Sequence, residues 1–273
     1  GLKCTTGLID LTGALPLCPA LDSAGPLCRT AVDAALLLNV LANRSHDTTI
    51  SYRASELPPG YGADDLRILV LDEAEFSVQV APEIQEGFRN VQQVFSSCGA
   101  MLDKKPFPFD FGEIAQLSGE MMAASAWNIH AGYIEDDEMP FGYWVRKRII
   151  SGKSISSDRY AMLRNCHEQY CRAWHNWIPR GSALLLPALP MVACRVDEAD
   201  ETSTKLGTFA RAANFVGACG ITFPVGKTKT GLPVAMQLMS GPFEEAALLR
   251  TCSLFQAATD WHLRTPAYPD SRP

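Results

Sequence analysis

The chain has 273 residues, of which 47% are hydrophobic and 20% charged, and it carries a formal net charge of −6 at pH 7 from 30 acidic and 24 basic residues. This length is sufficient for one large domain with a buried core. The acidic excess argues against a nucleic-acid partner, because a phosphate-binding surface normally needs an excess of basic residues.

The apolar segments and the cysteines bear on where the protein resides. The longest apolar run, residues 183–193, is too short for a membrane span and contains two prolines, so no membrane partner is expected. The nine cysteines are odd in number and form no Cys-x-x-Cys pair. That usage is typical of reduced thiols in a cytoplasmic protein.

Helix and strand signals alternate along the first half of the chain. Thr30 and Asp33 form a capping pattern before "AALLLNVLA", which predicts a helix buried on several faces. After a loop rich in proline and glycine at 56–65, the run "LRILVLDE" predicts a strand of a covered sheet. A further helix is predicted to begin at Pro82 and to end at Gly99.

The second half continues this alternation. Helices are predicted over roughly residues 113–132, 140–152 and 156–178, with a strand in "LLLPALP" behind them. In the last third, "TFARAANFVGACG" predicts a helix, "ITFPVG" and "LPVAMQLM" predict strands, and "FEEAALLRTCSLFQAATD" predicts a helix. Strands separated by helices predict an α/β fold in which a mixed β-sheet is flanked by helices (α/β/α). No break in composition divides the chain, so residues 1–273 are predicted to form a single domain.

Two short motifs resemble known site motifs but fit them poorly. In "GITFPVGKT", Gly220 and Gly226 enclose five residues where a phosphate-binding loop needs four, and Pro224 lacks an amide hydrogen that would face a phosphate. A strand that leads into a turn is the better interpretation. In penicillin-recognising enzymes, a K-T-G motif follows an S-x-x-K motif that carries the nucleophile. This chain has "KTG" at 229–231 but no S-x-x-K, so that interpretation is not favoured.

Three potential metal ligands, His167, Cys171 and His175, recur at i, i+4 and i+8 on one face of the predicted helix at 156–178. The outer pair would lie about 12 Å apart along the helix axis. Every ligand of a zinc ion must lie within roughly 2.3 Å of it. One ion therefore cannot bind all three, so no metal site is predicted and packing is the favoured role.

Serine and lysine residues crowd together in "SGKSISSD" at 151–158. A serine nucleophile paired with Lys153 is conceivable here. The alternative is a helix end followed by a new helix cap, for which Gly152, Ser154 and Ser156 are typical residues. We favour the second interpretation.

Segments spread over the whole chain resemble the amidase signature family, a group of serine hydrolases that cleave amides. "GLKCTTG" is similar to the family's G-L-K-P-T-x-G, with Cys4 where proline is usual, and "LDSAGPLCRTAVDAALLLNVLA" resembles its L-D-x-x-G-P stretch. "FGYWVRKRIISG" resembles its F-G-x-x-V-x-x-R segment. "NFVGACGITFPVG", "GLPVAMQLMSGPFEEAALLR" and "DWHLRTP" resemble its carboxyl end. Together these segments keep the family's order and approximate spacing.

The resemblance implies an α/β/α fold and the hydrolysis of an amide to a carboxylate and ammonia, without a cofactor. In the family, a lysine, a bridging cis-serine and a nucleophilic serine form the catalytic triad, and loop amides stabilise the oxyanion. Because those residues precede the G-L-K-P-T segment, the resemblance places them upstream of Gly1 and predicts no catalytic residue in this chain. It implies a small-molecule amide as substrate and the amino-terminal half of the same protein as partner, with a homo-oligomer as an open alternative. An exposed sheet edge and an open apolar face are expected where that half would dock.

The resemblance also implies two substrate-binding residues. Arg148 matches the arginine of the V-x-x-R segment, which in ammonia-transferring members holds a substrate carboxylate, and a guanidinium can bind a carboxylate through two hydrogen bonds. An ion pair with a neighbouring acid is the alternative role for Arg148. Trp127 falls near the place of aromatic pocket residues in the family, with packing as its alternative.

The glutamyl-tRNA amidotransferase A subunit is the best-known relative within the family. It usually carries an acidic residue a few positions before a segment that resembles Asn214–Gly217, whereas Gly207 stands near that place here. This departure and the "DWHLRTP" ending favour a stand-alone small-molecule amidase. The alternatives are a non-catalytic fragment or interaction module, and the A subunit of an amidotransferase.

Overall fold

A mixed six-stranded sheet lies at the centre of the structure, a computed structural model that describes residues 1–42, 66–198 and 205–265. In chain order the strands are β1 (Leu2–Lys3), β2 (Arg67–Val70), β3 (Met101–Lys104), β4 (Ala183–Pro187), β5 (Cys219–Lys227) and β6 (Pro233–Ser240). Their order across the sheet is β1-β5-β6-β4-β2-β3. The predicted mixed sheet is therefore confirmed.

The sheet has a parallel part and an antiparallel part that meet at β4. Strand β2 pairs in parallel with β3 on one side and with β4 on the other, whereas β4, β6, β5 and β1 pair antiparallel. All residues of β4 are buried, as its continuous apolar sequence requires. Strand β5 changes register between Pro224 and Gly226, where proline cannot donate a ladder hydrogen bond. The motif "GITFPVGKT" is thus a strand that leads into a turn, as predicted.

Helices cover both faces of this sheet. The α-helices are α1 (Ala31–Leu41), α2 (Pro82–Ser97), α3 (Phe111–His130), α4 (Tyr143–Ser151), α5 (Ser157–Trp177), α6 (Ala210–Phe215) and α7 (Glu245–Ala258).

Side-chain alternation along β5 shows which helices lie on which face. The Phe223 ring contacts Phe95 of α2 and Phe255 of α7. On the opposite face, a Cβ at Gly220 would lie 3.6 Å from Ala213 of α6. Because successive strand residues point to opposite faces, α2 and α7 lie on one side of the sheet and α6 on the other. The predicted α/β/α arrangement is confirmed.

Local sequence signals set several helix ends. Thr30 and Asp33 form a reciprocal capping box at the start of α1. Pro82 occupies the first position of α2, where its missing amide hydrogen costs nothing, and Gly99 follows the helix with φ +90°. These features agree with the predicted boundaries.

Three expectations from the sequence need correction or comment. The prediction that α1 is buried on several faces is wrong, because Leu36, Leu37, Val40 and Leu41 are exposed. The strands β1 and β3 were not expected, and α6 is shorter than "TFARAANFVGACG" predicts. The predicted loop at 56–65 lies outside the described residues.

The described sheet has β1 at one edge and β3 at the other. Apolar side chains on α1 are exposed. The expected exposed sheet edge and open docking face stay predictions. No helix in the described part of the chain is long and apolar enough to cross a membrane. None of the nine cysteines forms a disulfide.

Candidate functional site

A cavity of about 240 Å³ opens between α3, α4 and the first turn of α6. It is lined by Gly119, Met122 and Ala123 of α3, by Trp144, Lys147, Arg148 and Ser151 of α4, and by Arg211 of α6. Three of these side chains are cationic, and no described aspartate or glutamate lines the cavity. We refer to it as the cationic cavity.

The close approach of α4 to α3 forms one wall of the cationic cavity. Gly152 follows α4, and a Cβ there would lie 2.0 Å from the Ala123 carbonyl oxygen, so only glycine permits this approach. At the other side of α4, Arg146 donates hydrogen bonds to the carbonyl oxygens of Ile134, Asp136 and Met139 at 2.5, 2.6 and 2.7 Å. These contacts attach α4 to the segment 134–139 that precedes it. Both ends of α4 are therefore held in place.

Arg148 lies on this wall, in the last turn of α4. Its side chain is exposed, and its charge is close enough to lower the pKa of Arg211. The structure thus brings the predicted substrate-binding arginine to a cavity. That it binds substrate stays a prediction.

Arg211 is a residue that sequence reasoning missed. One of its guanidinium nitrogens donates to the Ala115 carbonyl oxygen at 2.9 Å. Burial, and then the positive charge of Arg148, lower the pKa of Arg211. None of the described acidic side chains forms an ion pair with it.

One glycine makes room for the Arg211 guanidinium, and a second lies in contact with it. A Cβ at Gly207 would lie 2.8 Å from Arg211 Nε, closer than Cβ contacts occur in proteins. A Cβ at Gly119 of α3 would lie 3.5 Å from Arg211 Nη1, an ordinary contact. The space of a side chain at position 207 is thus occupied by the guanidinium of residue 211.

Trp127 lies outside the cationic cavity. It is half-buried and packs with Leu17 and Ile150 against a small apolar cluster between α3 and α4. The Lys153 ammonium lies 5.3 Å from the centre of its ring. These are packing contacts, and a role for Trp127 in substrate binding stays a prediction.

The serine cluster at 151–158 is a helix end followed by a new cap. Ser151 and Ser154 each donate a hydrogen bond to a backbone carbonyl three residues earlier, at 2.7 and 3.0 Å. Lys153 Nζ contacts Glu135 Oε1 at 2.8 Å, and Ser156 caps α5 by accepting a hydrogen bond from the Arg159 amide. The lysine thus pairs with an acid outside the cluster, which agrees with the favoured interpretation.

The potential metal ligands of α5 do not converge. His167 Nε2 lies 3.6 Å from Cys171 Sγ. His175 instead lines a cavity together with Arg180 and Glu244. Burial lowers the pKa of His167 and raises that of Cys171 to about 11, so neither group favours its charged form. That the protein binds no metal here stays a prediction.

A second polar site joins the first residues of the chain to α7. The fully buried Glu245 carboxylate accepts hydrogen bonds from the Thr5 amide at 2.7 Å and the Thr5 hydroxyl at 2.6 Å. The Thr5 hydroxyl in turn accepts one from the Phe243 amide at 2.8 Å. Because Glu245 is the first residue of α7, the helix dipole also favours its negative charge. This Thr5–Glu245 site had no sequence signal other than its place in the resembling segments.

Comparison with known proteins agrees with the resemblance read from the sequence. The family profile described as Amidase matches residues 1–249. The glutamyl-tRNA(Gln) amidotransferase A subunit of Marinobacter nauticus is 31% identical over 97% of this chain and 61% of its own length. The chain thus spans about three fifths of the length of the curated relatives it matches.

Solved structures share the fold. An amidase crystal structure superimposes with a TM-score of 0.76 at 20% identity, over 94% of this chain and 57% of that one. A bacterial aryl acylamidase described as belonging to the amidase signature enzymes superimposes with a TM-score of 0.72 at 18% identity, over 96% of this chain and 59% of that one.

Proposed function

This chain belongs to the amidase signature family, and from that membership we propose that the protein hydrolyses a small-molecule amide to a carboxylate and ammonia. The observation that carries the proposal is the cationic cavity, which lies within the matched residues and has Arg148 on its wall. A small cavity with a few convergent polar groups is the usual form of a small-molecule site.

In the proposed reaction, a serine oxygen attacks the amide carbonyl carbon and the C–N bond breaks as the nitrogen leaves as ammonia. Water then hydrolyses the acyl-serine and releases the carboxylate. We place the nucleophile, the bridging serine and the lysine in a portion outside these 273 residues, as the resemblance implies. The serines near Lys153 support this placement, because they donate to backbone carbonyls and Lys153 pairs with Glu135.

This chain would then supply part of the substrate-binding wall. We propose that Arg148 holds a polar or anionic group of the substrate, since its fork of donors binds an oxyanion in a fixed orientation. We propose Trp127, which packs against the apolar cluster between α3 and α4, as a residue that supports this wall.

A second candidate function is that of an amidotransferase A subunit. The similarity to the Marinobacter nauticus relative favours it. The neighbourhood of residue 207 favours a stand-alone amidase instead, because the Arg211 guanidinium occupies the space where an acidic side chain would stand.

The activity test uses the protein as its gene encodes it and a panel of aliphatic and aromatic primary amides, with release of ammonia as the readout. We expect turnover that a serine-directed fluorophosphonate abolishes. Failure to release ammonia from any amide of the panel would overturn the proposed function. Release that also requires an aminoacyl-tRNA acceptor would favour the amidotransferase role.

The 273-residue chain by itself is expected to release no ammonia from these amides. If it does, replacing Ser154, Ser156 and Ser157 by alanine tests the serine cluster. Loss of turnover in that triple variant would assign the nucleophile to the cluster, and retention would place it elsewhere in the chain. Either result would contradict the proposed division of the active site.

A further inference from the structure

We propose that Arg211 is a specificity-determining residue, which forms the inner end of the cationic cavity and selects amides with a hydroxyl or carbonyl oxygen on their chain over amides with an apolar tail. This inference rests on the proposed function, because it names the substrate class of the same site. It is independent of the role of Arg148, since it concerns a hydrogen bond from Arg211 to an uncharged group of the substrate.

The first step is the place of Arg211 within the cavity. The lining residues of α4 other than Trp144 are exposed and form the rim. The less exposed residues of α3 and α6 form the inner end, and these are Gly119, Met122, Ala123 and Arg211. Of these four, only Arg211 has a polar side chain. A substrate chain that enters past α4 would therefore meet the guanidinium as the one polar group at the inner end.

The second step is the position of the guanidinium. Arg211 Nη1 donates a hydrogen bond to the Ala115 carbonyl oxygen at 2.9 Å. A Cβ at Gly207 would lie 2.8 Å from Arg211 Nε and 3.4 Å from Cζ, so any side chain at position 207 would displace the guanidinium. The hydrogen bond and the glycine together set where the remaining donors lie.

The third step concerns those remaining donors. A guanidinium carries five N–H donors and no acceptor. Within the described part of the chain, the bond to Ala115 is the one hydrogen bond that Arg211 makes, and no described acid lines the cavity. Burial lowers the pKa of Arg211, with the charge of Arg148 as the second cause, so its charged form already lacks part of its water. The other donors therefore need an acceptor oxygen inside the cavity.

The fourth step is the selection that follows from this need. An apolar tail would displace water from the donors and leave them unpaired, which costs the full desolvation of a charged group. A hydroxyl or carbonyl oxygen would replace that water as the acceptor. The cavity of about 240 Å³ is smaller than the roughly 300–1,000 Å³ of sites for drug-sized ligands, so the chain that carries the oxygen must be short.

The test compares two neutral ligands of nearly equal shape, butane-1-sulfonamide and 3-hydroxypropane-1-sulfonamide, in which a methyl group replaces a hydroxyl. A sulfonamide takes the place of the amide so that binding is measured without hydrolysis. In ligand-observed NMR titrations of the protein as its gene encodes it, the hydroxyl ligand should bind at least about 10-fold more tightly, the effect of one hydrogen bond to a charged group. Because both ligands are neutral, the net charge of the cavity does not decide the result.

Two variants assign this preference to Arg211. Arg211→Met keeps an unbranched side chain without donors, so the hydroxyl ligand should lose its advantage while the methyl ligand binds at least as well as before. In Gly207→Ala the arginine remains, but the new Cβ displaces Nε, so the preference should again fall. The Gly207 backbone has no positive φ and can accept alanine. Arg172→Met is the matched control, because Arg172 pairs with Glu168 on the exposed face of α5, and it should bind both ligands as the wild type does.

Equal affinities for the two sulfonamides, an unchanged hydroxyl preference in Arg211→Met, or no binding of either ligand would each overturn the inference. If Arg211→Met does not fold, as judged by circular dichroism, Gly207→Ala decides alone. Since the proposed function is tested by ammonia release and this inference by sulfonamide binding, either can fail while the other stands.

Discussion

The Thr5–Glu245 site and the cationic cavity are both charged, but their charges are balanced in different ways. The Glu245 carboxylate is fully buried, and two hydrogen bonds from Thr5 and the start of α7 stabilise its negative charge. In the cavity, Arg148 and Arg211 repel each other, and no described acid lines the space between them. One oxygen of the Glu245 carboxylate thus finds its partners within the chain, while Oε2 is buried and has no hydrogen-bond partner among the described residues. The cavity instead places two cations side by side.

The difference teaches how to separate structural from functional charge in this protein. A buried charge that the chain itself stabilises should contribute to the free energy of unfolding. A charge directed to a cavity should contribute to ligand binding and little to folding. Removing each charge in turn therefore tests the comparison.

The largest effect is expected for Glu245→Ala, which leaves the buried Thr5 amide without its acceptor and creates a cavity beneath α7. The free energy of unfolding should fall by about 2–4 kcal/mol, measured by urea denaturation. Glu245→Gln should cost less, because its amide oxygen can still accept both hydrogen bonds. Ammonia release per folded molecule of the protein as its gene encodes it should not change in either variant.

The matched control for this prediction is Glu168→Ala. Its carboxylate forms an exposed ion pair 3.8 Å from Arg172, so its loss should alter stability by less than about 1 kcal/mol. Equal stability of Glu245→Ala and Glu168→Ala would show that the Thr5–Glu245 site is not a structural charge.

Much of the fold could be predicted from the sequence because its signals are local. The capping box at Thr30 and the proline and glycine that bound α2 each act within a few residues. Strand β3 was missed because its four residues, two of them charged, carry no apolar alternation. The exposure of α1 was misjudged because a helix that is apolar all round does not reveal which face its neighbours cover.

A residue of the candidate site could be predicted only where a single sequence segment is enough to identify it. Arg148 could be found from its place in the resembling segment of α4. Arg211 could not, because its side chain is held by the Ala115 carbonyl oxygen, 96 positions away, which it meets only in the folded chain. The Thr5–Glu245 pair joins residues 240 positions apart, a separation over which sequence periodicity carries no information.

The next largest effect is expected for Arg148→Ala in the protein as its gene encodes it. If Arg148 binds substrate, kcat/KM should fall by about 10- to 100-fold, the value of a charged hydrogen bond in a partly desolvated site. Arg148→Lys should recover little, because an ammonium lacks the paired donors. The melting temperature must be measured on the same preparation. A lowered melting temperature with normal kcat/KM per folded molecule would show that Arg148 stabilises the fold and does not bind substrate.

The smallest effect is expected for Lys147→Gln, at the exposed rim of the cationic cavity. Its ammonium lies 5.2 Å from the centre of the Trp144 ring and 5.8 Å from that of Tyr143, so contacts with aromatic faces at the surface hold it. An exposed charge acts through water and salt, and its loss should lower kcat/KM for an anionic amide by only about 2- to 4-fold at low ionic strength. At about 0.5 M NaCl that difference should vanish, because screening acts over a few ångströms there. The loss in Arg148→Ala should persist in the same salt, because hydrogen bonds made directly to the substrate are screened much less. If both losses vanish together, the cavity attracts anions only by its overall charge, and the distinction between a positioned arginine and a surface cation fails.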